Sequence, residues 1–159
     1  MRSSLYKHAG LLKRLLNKFS AKDGRIGIRV AMLAGKDSAH YTRQIITCLG
    51  TDQFIATRGL STYVNIDPHG NLPGQLDLLF QSTRKVLANQ KDDILVWGSI
   101  SPSRELILLR FIPLTIWDQQ APGAFNLETE LALPLNFDEK YAALLRFVII
   151  AAALQTNIS

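Results

Sequence analysis

The chain lacks most of what stabilises extracellular proteins or anchors proteins in membranes. Its 159 residues include a single cysteine, Cys48, so no disulfide can form within it. The apolar period around Cys48 predicts that its thiol is buried and packs as a small hydrophobic group. No run reaches about eighteen uncharged apolar residues, and lysines and arginines interrupt the leucines near the start. These absences exclude a disulfide framework, and they predict an intracellular, cytoplasmic protein with neither a secretory signal nor a membrane-spanning helix.

Motifs for catalysis and metal binding are also missing. The histidines His8, His40 and His69 lack metal-ligand spacing, and no serine has the context of a nucleophile elbow. The turn AGKDS at residues 34–38 is too short to wrap a phosphate. The sequence therefore predicts no metal, no cofactor, no small-molecule substrate and no enzymatic activity. The alternative enzyme would be built around Lys36, Asp37, His40 and Arg58, which are expected at neighbouring strand ends.

Positive charge is abundant, and it is concentrated at one end. Residues 1–29 hold eight of the eighteen lysines and arginines and one acid, a net charge of +7. The remaining 130 residues carry −2, so the overall charge of +5 comes from this segment. Such asymmetry indicates a local docking device rather than a generally basic protein.

The same segment has the period of an amphipathic helix over residues 4–20. Its apolar face carries Leu5, Ala9, Leu12, Leu16 and Phe19. Its basic residues include Lys7, Lys13, Arg14 and Lys18. A helix this short is marginal alone, so it needs a surface: its own domain, a partner protein, an anionic membrane or nucleic acid. Residues 20–24 are predicted to form a hinge.

After the hinge, strand-like and helix-like patterns alternate. Strands are predicted at residues 25–33, 53–60, 94–100, 105–114 and 127–133. Helices are predicted at residues 37–49, 74–90 and 136–154. The second is expected to place Val86 on its apolar face, and the third to start with a capping box formed by Asn136 and Glu139. The apolar run at 94–100 is typical of a central strand, and the next strand returns as an antiparallel hairpin. We expect one α/β (α+β) domain over residues 25–159, with a mixed sheet of about five strands in the order α-β-α-β-α-β-β-β-α.

Three stretches resemble a bacterial module. They read DDILVWGSI at residues 92–100, ELILLRFIP at 105–113 and LALPLNFD at 131–138. From about residue 25 to residue 154, the chain resembles the small α/β domain that precedes tetratricopeptide repeats in many alphaproteobacterial proteins. That domain is itself similar to the N-terminal domain of TolB and to FlgO-like and CsgG-like domains. The resemblance implies a mixed sheet covered by helices and a non-enzymatic role in interaction or assembly, with no catalytic residues to carry over.

The sequence therefore predicts a non-catalytic adaptor or assembly subunit that docks to a protein partner. The docking residues are Leu5, Leu12, Leu16 and Phe19, with Trp117 either covering the core or acting as a further anchor. The alternative is peripheral binding to an anionic membrane on its cytoplasmic face, or to nucleic acid, through Lys7, Lys13, Arg14 and Lys18. Nucleic acid is less favoured, because aromatic residues do not interleave with the basic ones.

Overall fold

The computed structural model describes residues 25–67, 69–114 and 128–155. These residues form five strands and three helices. In chain order they are β1 (Ile26–Met32), α1 (Ser38–Gly50), β2 (Ile55–Tyr63), α2 (Leu72–Gln90), β3 (Ile94–Ser101), β4 (Leu106–Pro113), β5 (Glu130–Pro134) and α3 (Glu139–Gln155). The predicted α+β class and the predicted order from the first strand onward are confirmed. The predicted helix over residues 4–20 lies outside the described residues.

The five strands form one mixed sheet in the order β2-β1-β3-β4-β5. β1 is parallel to both β2 and β3, whereas β4 is antiparallel to β3 and to β5. The predicted hairpin is confirmed, since β3 and β4 pair continuously from Ile94 opposite Pro113 to Ser101 opposite Leu106. β3 lies at the centre of the sheet, and this position explains its largely apolar sequence, which is interrupted by Gly98 and Ser99 before Ile100.

Helices cover both faces of the sheet. On one face α1 and α3 pack over a large apolar core, to which α1 contributes Ile45 and Leu49 and α3 contributes Leu145 and Ile149. On the opposite face α2 packs Leu76, Phe80 and Leu87 against a second core that includes Leu95, Trp97 and Ile112 of the sheet. Successive strand residues point to opposite faces, so β3 and β4 supply both cores.

Several predicted boundaries and caps need correction. β2 continues to Tyr63, because a register shift in β1 lets Met32 pair with that residue. α2 starts at Leu72, with Asn71 as its N-cap and Pro73 in its first turn. Val86 was expected on the buried side of α2 but is 44% exposed. At the start of α3, Asp138 accepts hydrogen bonds from the backbone N–H groups of the helix, in place of the expected Asn136 capping box.

Candidate functional site

Every residue predicted to dock a partner or to touch an anionic surface lies outside the described residues. They are Leu5, Lys7, Leu12, Lys13, Arg14, Leu16, Lys18, Phe19 and Trp117. The assignments of these residues therefore stay predictions. The described residues form three candidate sites: a groove between α1 and α3, a buried ion pair near the start of β3, and the outer surface of α3.

The groove between α1 and α3 has a volume of about 480 Å³. Arg146 of α3 spans it, donating to the Glu139 carboxylate at 2.6 Å and to the Thr51 hydroxyl at 3.2 Å. Arg146 also donates to the backbone carbonyl of Cys48 at 3.5 Å, so it ties α3 to the last turns of α1. The ion pair of Arg146 with Glu139 lies within α3, and the hydrogen bonds from Arg146 to Thr51 and Cys48 join that helix to α1.

Cys48 lies at the base of this groove, buried as predicted. Its thiol donates to the backbone carbonyl of Ala142 at 3.6 Å. Burial raises the pKa of the thiol above its ordinary value, and the nearby Arg146 charge opposes the rise. The protonated thiol is a weak nucleophile, so Cys48 acts here as a small core residue between two helices.

The four residues of the enzyme alternative do not come together at neighbouring strand ends. Lys36 and Asp37 lie in the turn before α1, and the Asp37 carbonyl accepts a hydrogen bond from the His40 backbone N–H at 3.1 Å. Arg58, however, lies in the body of β2 opposite Arg29. The expectation that Arg58 sits at a strand end is therefore wrong.

The turn AGKDS at residues 34–38 is held against the sheet. Ala34 donates to the carbonyl of Gly98 and accepts from the N–H of Ile100, which extends the pairing of β1 with β3. Gly35 has a φ of 118°, and a Cβ at this position would lie 3.1 Å from the Ile100 carbonyl oxygen. This close approach requires glycine and keeps the turn short.

A buried ion pair lies near the start of β3. The Arg29 guanidinium contacts the Asp92 carboxylate at 2.6 Å and 2.8 Å, and both residues are less than a tenth exposed. The neighbouring Asp93 carboxylate accepts from the Gly27 backbone N–H at 2.7 Å. Burial is the main cause that raises the pKa of Asp93, to about 6. These groups join β1 to the start of β3. The pattern of charges in the sequence does not indicate that Arg29 pairs with Asp92.

The outer surface of α3 is apolar, and the sequence analysis missed it. Phe147 is 69% exposed, Leu144 is 44% exposed and Tyr141 is 39% exposed. The partly buried Val148 and Ala151 continue the same side of the helix. These five residues, Tyr141, Leu144, Phe147, Val148 and Ala151, are called the α3 stripe below. The signal was present in the sequence, because residues 141–155 include one charged residue, Arg146, and are apolar on all sides.

Within the described ranges, no helix is long and apolar enough to cross a membrane. The same ranges contain no group of three or more His, Cys, Asp or Glu residues arranged to hold a metal ion. No protein-family model, curated protein or solved structure matches this chain. The resemblance to the repeat-associated α/β domain therefore stays a prediction.

Proposed function

We propose that this protein is a non-catalytic adaptor or assembly subunit that docks to a protein partner through residues 5–19. The observation that carries the proposal is the coincidence, in this one short segment, of a continuous apolar face and most of the chain's excess positive charge. An apolar helix face binds in a groove of a partner, and the flanking charges orient the encounter. We place the protein in the cytoplasm, where a free, buried Cys48 needs no partner.

Two further observations support this proposal. The mixed sheet with helices on both faces is the arrangement that the resemblance to the repeat-associated domain implies, and that domain is an interaction module. The α3 stripe adds a second apolar surface, and exposed apolar clusters on folded domains are typical of interaction sites.

The proposal is tested by deleting residues 1–22 and comparing the proteins captured from native lysate by the full chain and by the deletion variant. We expect one stoichiometric protein that survives a high-salt wash with the full chain and is lost with the deletion. A matched pair of variants separates the two faces of the segment: Leu12→Glu with Leu16→Glu against Lys7→Glu with Lys18→Glu. Hydrophobic docking requires the first pair to abolish capture at any salt concentration and the second to weaken capture mainly at low salt, where charges are least screened. Unchanged association after the deletion would refute the proposal.

The second candidate is peripheral attachment to an anionic membrane surface or to nucleic acid. The net charge of +7 in residues 1–29 favours it, because clustered lysines and arginines are attracted to phosphate-bearing surfaces. In this case the purified chain binds vesicles containing phosphatidylserine or binds RNA. The Lys7→Glu and Lys18→Glu variant releases it, as does added salt. Binding that resists both treatments contradicts this candidate.

A further inference from the structure

We propose that the α3 stripe binds a second copy of this chain, in an antiparallel and two-fold symmetric helix pair. The inference goes beyond the proposed function, because it concerns self-association through a surface distant in sequence from residues 5–19. It starts from Phe147, which projects from the middle of α3 with 69% of its surface exposed. No described element covers this side chain, whereas its neighbours Leu145 and Ile149 are fully buried.

The distribution of side-chain size along the stripe suits a symmetric partner. Its large residues Tyr141, Leu144 and Phe147 lie in the first half and at the middle of α3, and its small residue Ala151 lies toward the end. An antiparallel crossing centred between Leu144 and Phe147 places each Phe147 against Leu144 of the second copy. The same crossing brings each Tyr141 toward the small residues near Ala151 of the second copy. The Phe147 and Leu144 side chains then fill the centre of the contact, and at each end a large Tyr141 meets smaller residues near Ala151, which suits close packing of two helices.

The charges of α3 complement each other in the same arrangement. α3 has an acid in its first turn, Glu139, but no base in its last turn. An antiparallel second copy brings its Lys140 toward that last turn, where a cation interacts favourably with the helix dipole. Arg146 lies on the other side of the helix, bound to Glu139 and α1, so like charges do not face each other across the contact.

The size of the stripe sets the expected strength. A fully covered aromatic side chain buries about 150–250 Å², and the exposed parts of the stripe therefore offer on the order of 300 Å² per chain. Stable complexes usually bury more than about 1,000 Å² in total. We therefore expect a weak dimer that forms at micromolar concentrations and dissociates on dilution.

The test is sedimentation velocity of the purified full chain, from low to high micromolar concentration. We expect a monomer–dimer equilibrium whose dissociation constant rises at least about tenfold in Phe147→Glu, because a charge replaces a central apolar contact. Leu78→Glu is the matched control, since Leu78 on α2 is also 69% exposed and lies off the stripe. It should leave the equilibrium unchanged. Lys140→Glu should weaken the dimer about two- to fivefold if the helices run antiparallel.

Three results would overturn the proposal. The first is a full chain that is monomeric at every concentration tested. This result overturns the proposal even if Phe147→Glu abolishes capture of another protein, because the stripe would then bind that protein. The second is a dimer that Phe147→Glu leaves intact. The third is a full chain that stays monomeric while the variant lacking residues 1–22 dimerises, which would identify residues 5–19 as the occupant of the stripe. Circular dichroism of each variant confirms that it is folded. Because self-association is measured without any other protein, its outcome is independent of the capture experiment that tests the proposed function.

Discussion

α1 and α3 cover the same face of the sheet, yet they present opposite kinds of surface to the outside. The exposed side of α1 carries His40, Arg43 and Thr47, and the large apolar residues of α1 all pack on the core. α3 buries Leu145 and Ile149 but leaves an apolar stripe on its other side. Burial of apolar residues in the core explains why the outer side of α1 is polar, but it does not explain why the outer side of α3 is apolar. This difference is the basis for the proposal that the outer side of α3 binds a second copy of the chain.

The largest expected effect comes from adjacent leucines on the two sides of α3. Leu145 is fully buried and Leu144 is 44% exposed. Leu145→Ala should lower the free energy of unfolding by about 2–5 kcal/mol, because it leaves a cavity in the core. Leu144→Ala should lower it by less than about 1 kcal/mol. Urea unfolding of both variants at low protein concentration measures the difference, and equal losses would show that the stripe is part of the fold.

A second variant separates self-association from partial unfolding. The pKa of Asp93 is raised from 3.8 to about 6, mainly by burial. The folded chain therefore binds the proton more tightly than the unfolded chain, so stability falls as pH rises between these values and stays lower at pH 7. Asp93→Asn keeps an acceptor for Gly27 and removes the charge, and it should stabilise the fold at neutral pH by on the order of 2 kcal/mol.

Thermal unfolding across pH checks this stabilisation, which should disappear in acid. Asp93 lies beside β1 and β3, away from the α3 stripe. Its substitution should therefore leave sedimentation unchanged. A dimer that weakens in step with the added stability would mean that association proceeds through partly unfolded chains and not through the stripe.

The N-terminal caps of α1 and α3 differ, and substitutions at these caps should change stability by a smaller amount. Asp138 caps α3 by accepting from the N–H groups of Lys140 and Tyr141 at 3.0 Å and 3.4 Å, so Asp138→Ala should cost about 1 kcal/mol. Asp37 occupies the N-cap of α1 with a φ of 58° and no side-chain capping bond. Asp37→Gly should instead stabilise by about 0.5 kcal/mol, because glycine adopts this left-handed conformation readily. Chemical denaturation distinguishes the two signs, and a loss of stability in Asp37→Gly would contradict this account.

The smallest expected effect is a change in the pKa of Cys48, which lies where α1 contacts α3. Burial raises this pKa, the Arg146 charge lowers it and the Glu139 charge raises it. Arg146→Met should therefore shift the pKa further upward, and Glu139→Gln should shift it downward. The absorbance of the thiolate as a function of pH measures both. Because the folded state keeps the thiol proton longer than the unfolded chain, stability should also decline as pH rises above 9.0. Identical curves for the two variants would show that Arg146 does not act on the thiol.

Sequence patterns were sufficient for most of the fold and for little of the candidate site. The largely apolar run of β3 and the hairpin to β4 could be predicted, because a strand covered on both faces and the strand that returns beside it leave a local signature. The Asp138 cap was missed, because two candidate capping residues lie two positions apart and local sequence does not choose between them. The pairing of Arg29 with Asp92 could not be predicted, since 62 residues separate them and only the parallel pairing of β1 and β3 brings them together.

The sequence by itself determined the α+β class, the order of the elements and the charge asymmetry of the chain, because these follow from periodicity and composition over short windows. Only the tertiary structure decided which side of α3 is buried. Residues 141–155 are apolar all round, so periodicity does not select a face, and the packing of Leu145 and Ile149 on the sheet makes that selection. What remains outside after that choice, the stripe centred on Leu144 and Phe147, is the surface from which self-association is proposed.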